Sequence, residues 1–320
     1  MTFCSYIIPT IGRETLEKAV KSVLAQDFEH GFEVIVVNDS GNPLPEAEWH
    51  HLPNVTILNT NRRERSIARN TGAAVACGSY LAFLDDDDWL LPGALESFWQ
   101  LSIQKQEALW LYGGIQIVDE HNSILAEINS GLNGSCFAQI MGGAWAPIQS
   151  SVIRSRAFFK IGGFNPSISG TEDEDLCRQI AYLGEFANTS KTVACLYRGQ
   201  VWKTSTNYLR GPEDTKYSRD LILSQPKAFH RLISSADSGY WYGRILRVYL
   251  STIPWNLKRK RFFMALSRVM YSLAAFVLSL RHVISAEYWQ GVRADHVPHS
   301  LHFVIKEYEQ RMKQKEPLAG

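Results

Sequence analysis

The chain opens on apolar runs separated by amphipathic stretches. Residues 3–8 are a mainly apolar run broken by Pro9, which reads as a buried strand. Residues 12–26 place Leu16, Ala19, Val20, Val23 and Leu24 at helical spacing on one face. Residues 32–38 read as a second strand, closed by the turn composition Asp39-Ser40-Gly41-Asn42-Pro43, and residues 55–58 as a short third. Residues 66–77 predict a helix with Ile67, Thr71, Ala74 and Val75 turned inward. Residues 79–84 predict a fourth strand, and residues 92–104 a helix with Pro92 in its first turn. Continuous apolar strands alternating with helices predict a parallel sheet with right-handed crossovers, covered by helices on both faces.

The pattern changes after Leu109. Residues 110–118 and 124–128 flank the turn Asp119-Glu120-His121-Asn122-Ser123 and read as a hairpin. Residues 131–143 are glycine-rich. Residues 148–153 read as a strand, followed by a short helix to Ile161 and the turn Gly162-Gly163-Phe164-Asn165-Pro166. Residues 172–183 predict a helix with an acid-crowded N-terminus, and residues 186–197 are extended. Beyond about Gln200 the chain reads as helical, with residues 240–253 and 261–284 aromatic and apolar around interspersed arginines. The expected organisation is an α/β catalytic domain over residues 1–200, with halves 1–107 and 108–200, followed by a helical region over 201–320.

Composition changes this picture little. The 320 residues, 45% hydrophobic with a net charge of +1, suit one large or two modest domains and give no argument for nucleic acid as a partner. The five cysteines Cys4, Cys77, Cys136, Cys177 and Cys195 are dispersed without a C-x-x-C pair, against a disulfide framework or zinc site. Reduced thiols in the cytoplasm are the expectation. Residues 1–9 carry no basic n-region or cleavage site and read as a strand, not a signal peptide. No stretch of about 18 apolar residues is evident, and only twelve residues separate Arg268 from Arg281, so a membrane span is not expected. The basic run Lys258-Arg259-Lys260-Arg261 beside apolar helices leaves two readings open. One is a helical subdomain packed on the core; the other is peripheral contact with the inner face of a membrane.

The candidate chemistry starts at Asp85, Asp86, Asp87 and Asp88, which directly follow the apolar run Tyr80-Leu81-Ala82-Phe83-Leu84. Two like charges about 4 Å apart repel by roughly 4 kcal/mol at an effective dielectric near 20. A divalent cation is the usual counter-charge, and the carboxyl end of a strand is where open α/β sheets bind ligands. Caps and turns account for one or two aspartates, not four. Four further segments stand out: Pro9-Thr10-Ile11-Gly12-Arg13, Asp39, the arginine-bearing Arg65-Ser66-Ile67-Ala68-Arg69-Asn70-Thr71-Gly72, and Gly170-Thr171-Glu172-Asp173-Glu174-Asp175. Arginine suits a diphosphate because its guanidinium can pair bidentately. Trp145 could stack on a sugar ring or be an aromatic buried in a loop. No G-x-G-x-x-G follows the first strand and no P-loop is present.

Taken in order, Pro9-Thr10, Asp39, Ala68-Arg69-Asn70-Thr71-Gly72, Phe83-Leu84-Asp85-Asp86-Asp87-Asp88, Gly162-Gly163-Phe164 and Glu172-Asp173-x-Asp175-Leu176 resemble glycosyltransferase family 2 over roughly the first 200 residues. The resemblance implies a GT-A fold: a Rossmann-like mixed sheet, mostly parallel, here with a C-terminal helical extension. It implies a nucleotide-diphospho-sugar donor, foremost a UDP-sugar, a Mg²⁺ or Mn²⁺ ion, and inversion at the anomeric carbon. By position it implies donor contacts from Pro9, Thr10, Arg13, Asp39, Arg69, Asn70, Asp85 and Asp86. It implies metal ligation by Asp87 and Asp173 as general base; Glu172 and Trp145 are the candidate acceptor contacts. The acceptor would be a glycan or lipid-linked hydroxyl in polysaccharide, lipopolysaccharide or other glycoconjugate synthesis. Many relatives place a third metal ligand, often His, after the last catalytic strand. Here Tyr197-Arg198-Gly199-Gln200-Val201-Trp202-Lys203 contains none, and Lys203 is the available charge.

Two other readings remain. A sugar-phosphate nucleotidyltransferase shares the architecture but normally carries a glycine-rich G-x-G-T-R-like loop, which Pro9-Thr10-Ile11-Gly12-Arg13 is not. A non-catalytic nucleotide-sugar-binding subunit does not require the acids at both Asp87 and Asp173.

Overall fold

A computed structural model describes residues 2–62, 64–198 and 211–294. The chain forms two compact units, one of Met1–Gly134 with Ala146–Leu221, the other of Ser135–Trp145 with Ile222–Gly320. The described strands are β1 (Cys4–Thr10), β2 (Phe32–Asn38), β3 (Val55–Asn59), β4 (Tyr80–Phe83), β5 (Trp89–Leu90), β6 (Ala108–Val118), β7 (Ile124–Ile128), β8 (Ser151–Arg154) and β9 (Glu185–Tyr197). The helices are α1 (Leu16–Leu24), α2 (Arg65–Val75), α3 (Ala94–Gln104), α4 (Phe137–Met141), α5 (Ser155–Ile161), α6 (Glu172–Leu183), α7 (Gly211–Leu223), α8 (Ala228–Ser234), α9 (Ser238–Lys258), α10 (Phe262–Ser279) and α11 (Ala286–Arg293).

In the first unit the strands form one sheet in the order β3-β2-β1-β4-β8-β6-β9-β5, with β7 paired to β6. The β1–β2, β2–β3 and β1–β4 pairs are parallel. Antiparallel β8 joins β4 to β6, and β9 returns parallel to β6. Residues 34–37 of β2 and all of β4 are buried, as expected of apolar strands covered on both faces. The register sets Thr10 opposite Asn38 and Ile7 opposite Phe83. Because these strands run the same way, Thr10, Asp39 and the acidic turn after β4 all emerge at one edge of the sheet. Asp85–Asp88 bridge β4 to the two-residue β5, which pairs with Ala194 and Cys195 of β9.

Several boundaries differ from the sequence reading. Helix α1 begins at Leu16, because Gly12 is left-handed at φ 82° and the chain turns through Arg13 before the helix. Helix α3 begins at Ala94, after Gly93 at φ 77°. Residues 148–150 form a short 3-10 turn, so β8 starts at Ser151. Strand β5 lies beside the aspartates and is too short for a periodicity to show.

Helix α2 turns a different face inward from the one expected. It buries Ser66, Ala68, Arg69, Gly72 and Ala73, and leaves Val75 exposed. Close packing is the reason: a Cβ at Gly72 would lie 2.6 Å from Ile7 Cγ2 and 3.0 Å from Val37 Cγ2. Only small side chains fit against β1 and β2, and that approach carries Arg69 into the interior.

The second unit is helical. Asp237 accepts the Gln139 N–H at 2.9 Å and Arg244 donates to the Gly142 carbonyl at 2.9 Å, fixing the α4 segment to α9. One expectation is corrected here. Phe262–His282 forms a continuous helical stretch of 21 residues whose most apolar 18-residue window has mean hydropathy 1.7, long and apolar enough to cross a membrane. The sequence reading counted only the gap between Arg268 and Arg281; the apolar residues before Arg268 extend the helix. Lys203 lies outside the described residues.

Gly72→Ala is expected to lower unfolding stability by about 1–3 kcal/mol, read by chemical denaturation, because the methyl overpacks the α2–sheet contact. An unchanged midpoint would show that the helix has room to move out.

Candidate active site

The acidic turn is stabilised by arginines. The Thr10 hydroxyl donates to Asp86 at 2.6 Å, and Arg13 donates to Asp86 at 2.9 Å and to Asp87 at 2.6 Å. Asp85 accepts from Arg69 at 2.6 Å and from the Gln149 amide at 3.1 Å. Asp88, buried, accepts the Tyr197 N–H at 2.9 Å and faces Arg198 at 3.7 Å. Each aspartate therefore has a guanidinium neighbour, so repulsion within the run does not by itself demand a metal. The compensation is uneven. Burial raises the Asp85 pKa, but the charge and hydrogen bond of Arg69 overrule it and bring it down to about 2. Burial and like charge leave Asp86 and Asp87 above the ordinary value despite Arg13, and Asp88 well above it despite Arg198.

The second acidic segment meets the first through Arg69. This guanidinium is 2% exposed and donates to Asp85 on one side and to Glu172 at 3.1 Å on the other. Arg65 also reaches Glu172, at 3.2 Å. Burial favours loss of the Arg69 proton, but Asp85 and Glu172 reverse this and hold the charge firmly. Glu172 is itself buried. Desolvation and neighbouring Asp173 raise its pKa against Arg69 and Arg65. Asp173 sits half-buried in the first turn of α6 and accepts the Glu174 N–H at 2.8 Å. Burial and then Glu174 raise its pKa, with Arg69 and Arg65 opposing.

Other sequence candidates have structural partners. Asp39, 3% exposed, accepts from the Thr60 hydroxyl at 2.7 Å, the Arg62 N–H at 2.7 Å and the Glu64 N–H at 2.8 Å. Glu64 then caps α2 by accepting the Ser66 and Ile67 N–H groups. This relay fixes where α2 starts and so where Arg69 points. Asn70 pairs through both ends of its amide with the backbone of Phe164, at 2.9 Å each way, and so holds the Gly162-Gly163-Phe164 turn beside α2. Pro9 lies within β1 opposite Val37. Trp145 belongs to the second unit.

The sequence reading missed Gln149, hidden in a segment taken for strand, and the Arg198 partner of Asp88. Nothing in residue spacing links Asp88 to Arg198. The Gln149 side-chain oxygen is buried with no hydrogen-bond partner, while its amide nitrogen is held by Asp85.

Carboxylate oxygens of Asp85, Asp87 and Asp88 lie within 4.8 Å of one another. An all-oxygen donor set of this kind fits a hard divalent cation such as Mg²⁺ or Mn²⁺. Burial first, and neighbouring carboxylates next, raise the Asp87 and Asp88 pKa values despite the arginines, a cost that a bound cation would offset. The expected ligand Asp87 is in this set; Asp86, turned to Thr10 and Arg13, is not.

An alternating α/β sheet with acidic segments at its carboxyl edge is the architecture of the GT-A fold. Residues 5–130 match glycosyl transferase family 2. The chain is 22% identical over 289 residues to an uncharacterized glycosyltransferase of Haemophilus influenzae, covering 88% of this chain and 95% of that protein. It is 37% identical over 103 residues to the GalNAc(5)-diNAcBac-PP-undecaprenol beta-1,3-glucosyltransferase of Campylobacter jejuni, 30% of this chain and 33% of that one. The fold is similar to that of Staphylococcus aureus TarS residues 1–349 in complex with UDP-GlcNAc. The TM-score is 0.61 at 15% identity, covering 97% of this chain and 92% of that chain. Residues 5–130 carry a glycosyltransferase family 2 domain, and the chain is a glycosyltransferase.

Arg69→Ala leaves Asp85 and Glu172 buried without their shared cation and is expected to cost about 3–5 kcal/mol in denaturation. The Asp85 contribution is present at neutral pH and is lost as pH falls from about 4 towards its pKa of about 2, since its folded value is the depressed one. A loss under about 1 kcal/mol would show that the bridge does not hold the segments.

Proposed function

We propose that the chain transfers a sugar from a UDP-sugar to an acceptor hydroxyl in one inverting displacement. The observation that carries this reading is the Arg69 bridge, which places the acidic turn beside the Glu172-Asp173 pair. A diphosphate leaving group needs positive charge, and a general base needs to be close to the incoming hydroxyl. One segment serves the first need and the other the second.

We assign the roles on position and chemistry. Asp85, Asp87 and Asp88 would hold the cation, and Asp87 is the main ligand. A bound divalent ion would supply a Lewis acid that neutralises charge on the departing diphosphate. Arg13, half-exposed on Asp86 and Asp87, is free to turn its guanidinium to the diphosphate when the donor enters. Pro9, Thr10 and Asp39 border the base-binding edge, and Asn70 acts through the turn it holds. Gln149 presents its unpartnered oxygen beside Asp85, where a donor-sugar hydroxyl can donate to it. Asp173 takes the proton of the acceptor hydroxyl as that oxygen attacks the face opposite the leaving group. Its raised pKa makes it a better proton acceptor than an ordinary aspartate. Glu172, fixed by Arg65 and Arg69, borders the acceptor side.

The acceptor reading is a glycan or lipid-linked hydroxyl, supported by the undecaprenol-linked substrate named for the Campylobacter relative. TarP of S. aureus, 32% identical over 102 residues, is a poly(ribitol-phosphate) beta-N-acetylglucosaminyltransferase, which supports surface-polymer synthesis as the class. Trp145 is assigned to acceptor contact on its aromatic chemistry alone. A nucleotidyltransferase would release pyrophosphate, whereas this reading requires release of a nucleoside diphosphate.

Asp173→Asn is expected to keep donor binding but lose turnover by about 10²–10⁴-fold, the range for a general base. The wild-type rate should fall as pH drops through the raised Asp173 value, so the acid limb lies above the ordinary aspartate range. Unchanged turnover in the variant would remove Asp173 as base. Asp87→Ala should abolish the added thermal stability that a UDP-sugar confers with Mn²⁺. A bound donor at about 100 times its dissociation constant adds about 2.7 kcal/mol in the wild type. Equal shifts with and without the carboxylate would contradict the ligand assignment.

A further inference from the structure

Helix α10 packs the opposite way from a helix in a water-facing bundle. Its buried residues are Ala265, Ser272, Ala275 and Ser279, all small. Its large apolar side chains point outward: Phe263 is 82% exposed, Leu266 62%, Leu273 57% and Val277 63%. A helix stabilised by water-driven burial turns its large apolar residues inward. Small residues at the helix contact and large ones on the outer face are the arrangement used where the surroundings are lipid. The neighbouring contact follows the same rule. Gly239 and Gly243 of α9 are spaced four apart, and a Cβ at Gly243 would lie 2.0 Å from the Tyr288 carbonyl oxygen of α11.

Charge identifies the occupant of this face. From Ser238 to Ala286 the chain contains eight lysines and arginines and no aspartate or glutamate. Four of them, Lys258, Arg259, Lys260 and Arg261, form the turn immediately before α10, and all four are exposed. Arg268, half-buried on the side of α10 that packs against α9, lies against Tyr249 and Tyr271, each 5.8 Å away. A surface with this much positive charge repels a second copy of itself but attracts anionic phospholipid.

We propose that α10 is a monotopic membrane anchor. It lies in the headgroup boundary of an anionic bilayer with Phe263, Leu266, Leu273 and Val277 among the acyl chains and Lys258–Arg261 on the lipid phosphates. The cytoplasmic leaflet carries such lipid, which places the enzyme on the inner face of the membrane. The proposal stands independently of which donor or acceptor the catalytic unit uses.

The test is sedimentation of the purified full chain with vesicles of phosphatidylglycerol and phosphatidylethanolamine, or of phosphatidylcholine alone. Binding to the anionic vesicles is expected, weakened at least about tenfold on neutral vesicles or on raising salt from about 50 to about 500 mM. Combined Phe263→Ser, Leu266→Ser and Leu273→Ser should abolish binding to both vesicle types. Combined Lys258→Gln, Arg259→Gln, Lys260→Gln and Arg261→Gln should erase the anionic preference. A helical circular-dichroism spectrum and a melting midpoint that match wild type show that each variant is folded, so loss of vesicle binding reads the anchor and not the fold. Failure of the wild type to bind vesicles would overturn the proposal. So would serine variants that bind like wild type, or a stable dimer in water that the serine substitutions dissociate.

Discussion

The buried guanidinium of Arg69 joins two acidic segments that lie far apart in the chain. Asp85 follows β4 and Glu172 begins α6, and Arg69 donates to both from the interior of the first unit. Without a cation between them, two carboxylates in a low-dielectric setting would repel strongly. The bridge therefore decides whether the acidic turn and the first turn of α6 can share one site. Its own placement depends on the close seat of α2 on β1 and β2, which Gly72 permits, and on the Asp39–Glu64 relay that starts the helix. Backbone packing, capping and site electrostatics are thus coupled through one short helix.

The four aspartates divide the work. Asp85 is fully ionised beside Arg69, while Asp86 is turned away to Thr10 and Arg13. Asp88 ties the turn to β9 through the Tyr197 N–H. Asp87 remains half-exposed beside Arg13, with its oxygens close to those of Asp85 and Asp88. Arginines make the run tolerable in the folded protein.

Much of the sheet was legible because buried parallel strands are written as mainly apolar runs, as in β1, β2 and β4; the half-exposed β3 is a shorter mixed run. The acidic turn and the Glu172-Asp173 segment were legible because each is a run of consecutive carboxylates that turns and caps alone do not need. The inward face of α2 was not. Hydrophobic periodicity favours Ile67 and Val75, whereas the actual contact is chosen by size, and only Ala68, Gly72 and Ala73 fit. Gln149 and the Asp88–Arg198 contact were also hidden, because each depends on tertiary proximity between segments with no shared local pattern. The outward face of α10 escaped for a related reason: composition reports that a helix is apolar, but only packing reports which side its large residues take.

The most direct measurement is a crystal structure of the chain soaked with a UDP-sugar and Mn²⁺, with the ion located by its anomalous signal. The account predicts the manganese peak about 2 Å from Asp87 oxygen, the usual range for a small hard cation. It also predicts Asp173 on the face of the anomeric carbon opposite the diphosphate. A nucleotide bound away from the acidic turn, or an Asp173 carboxylate turned away from the sugar, would contradict it.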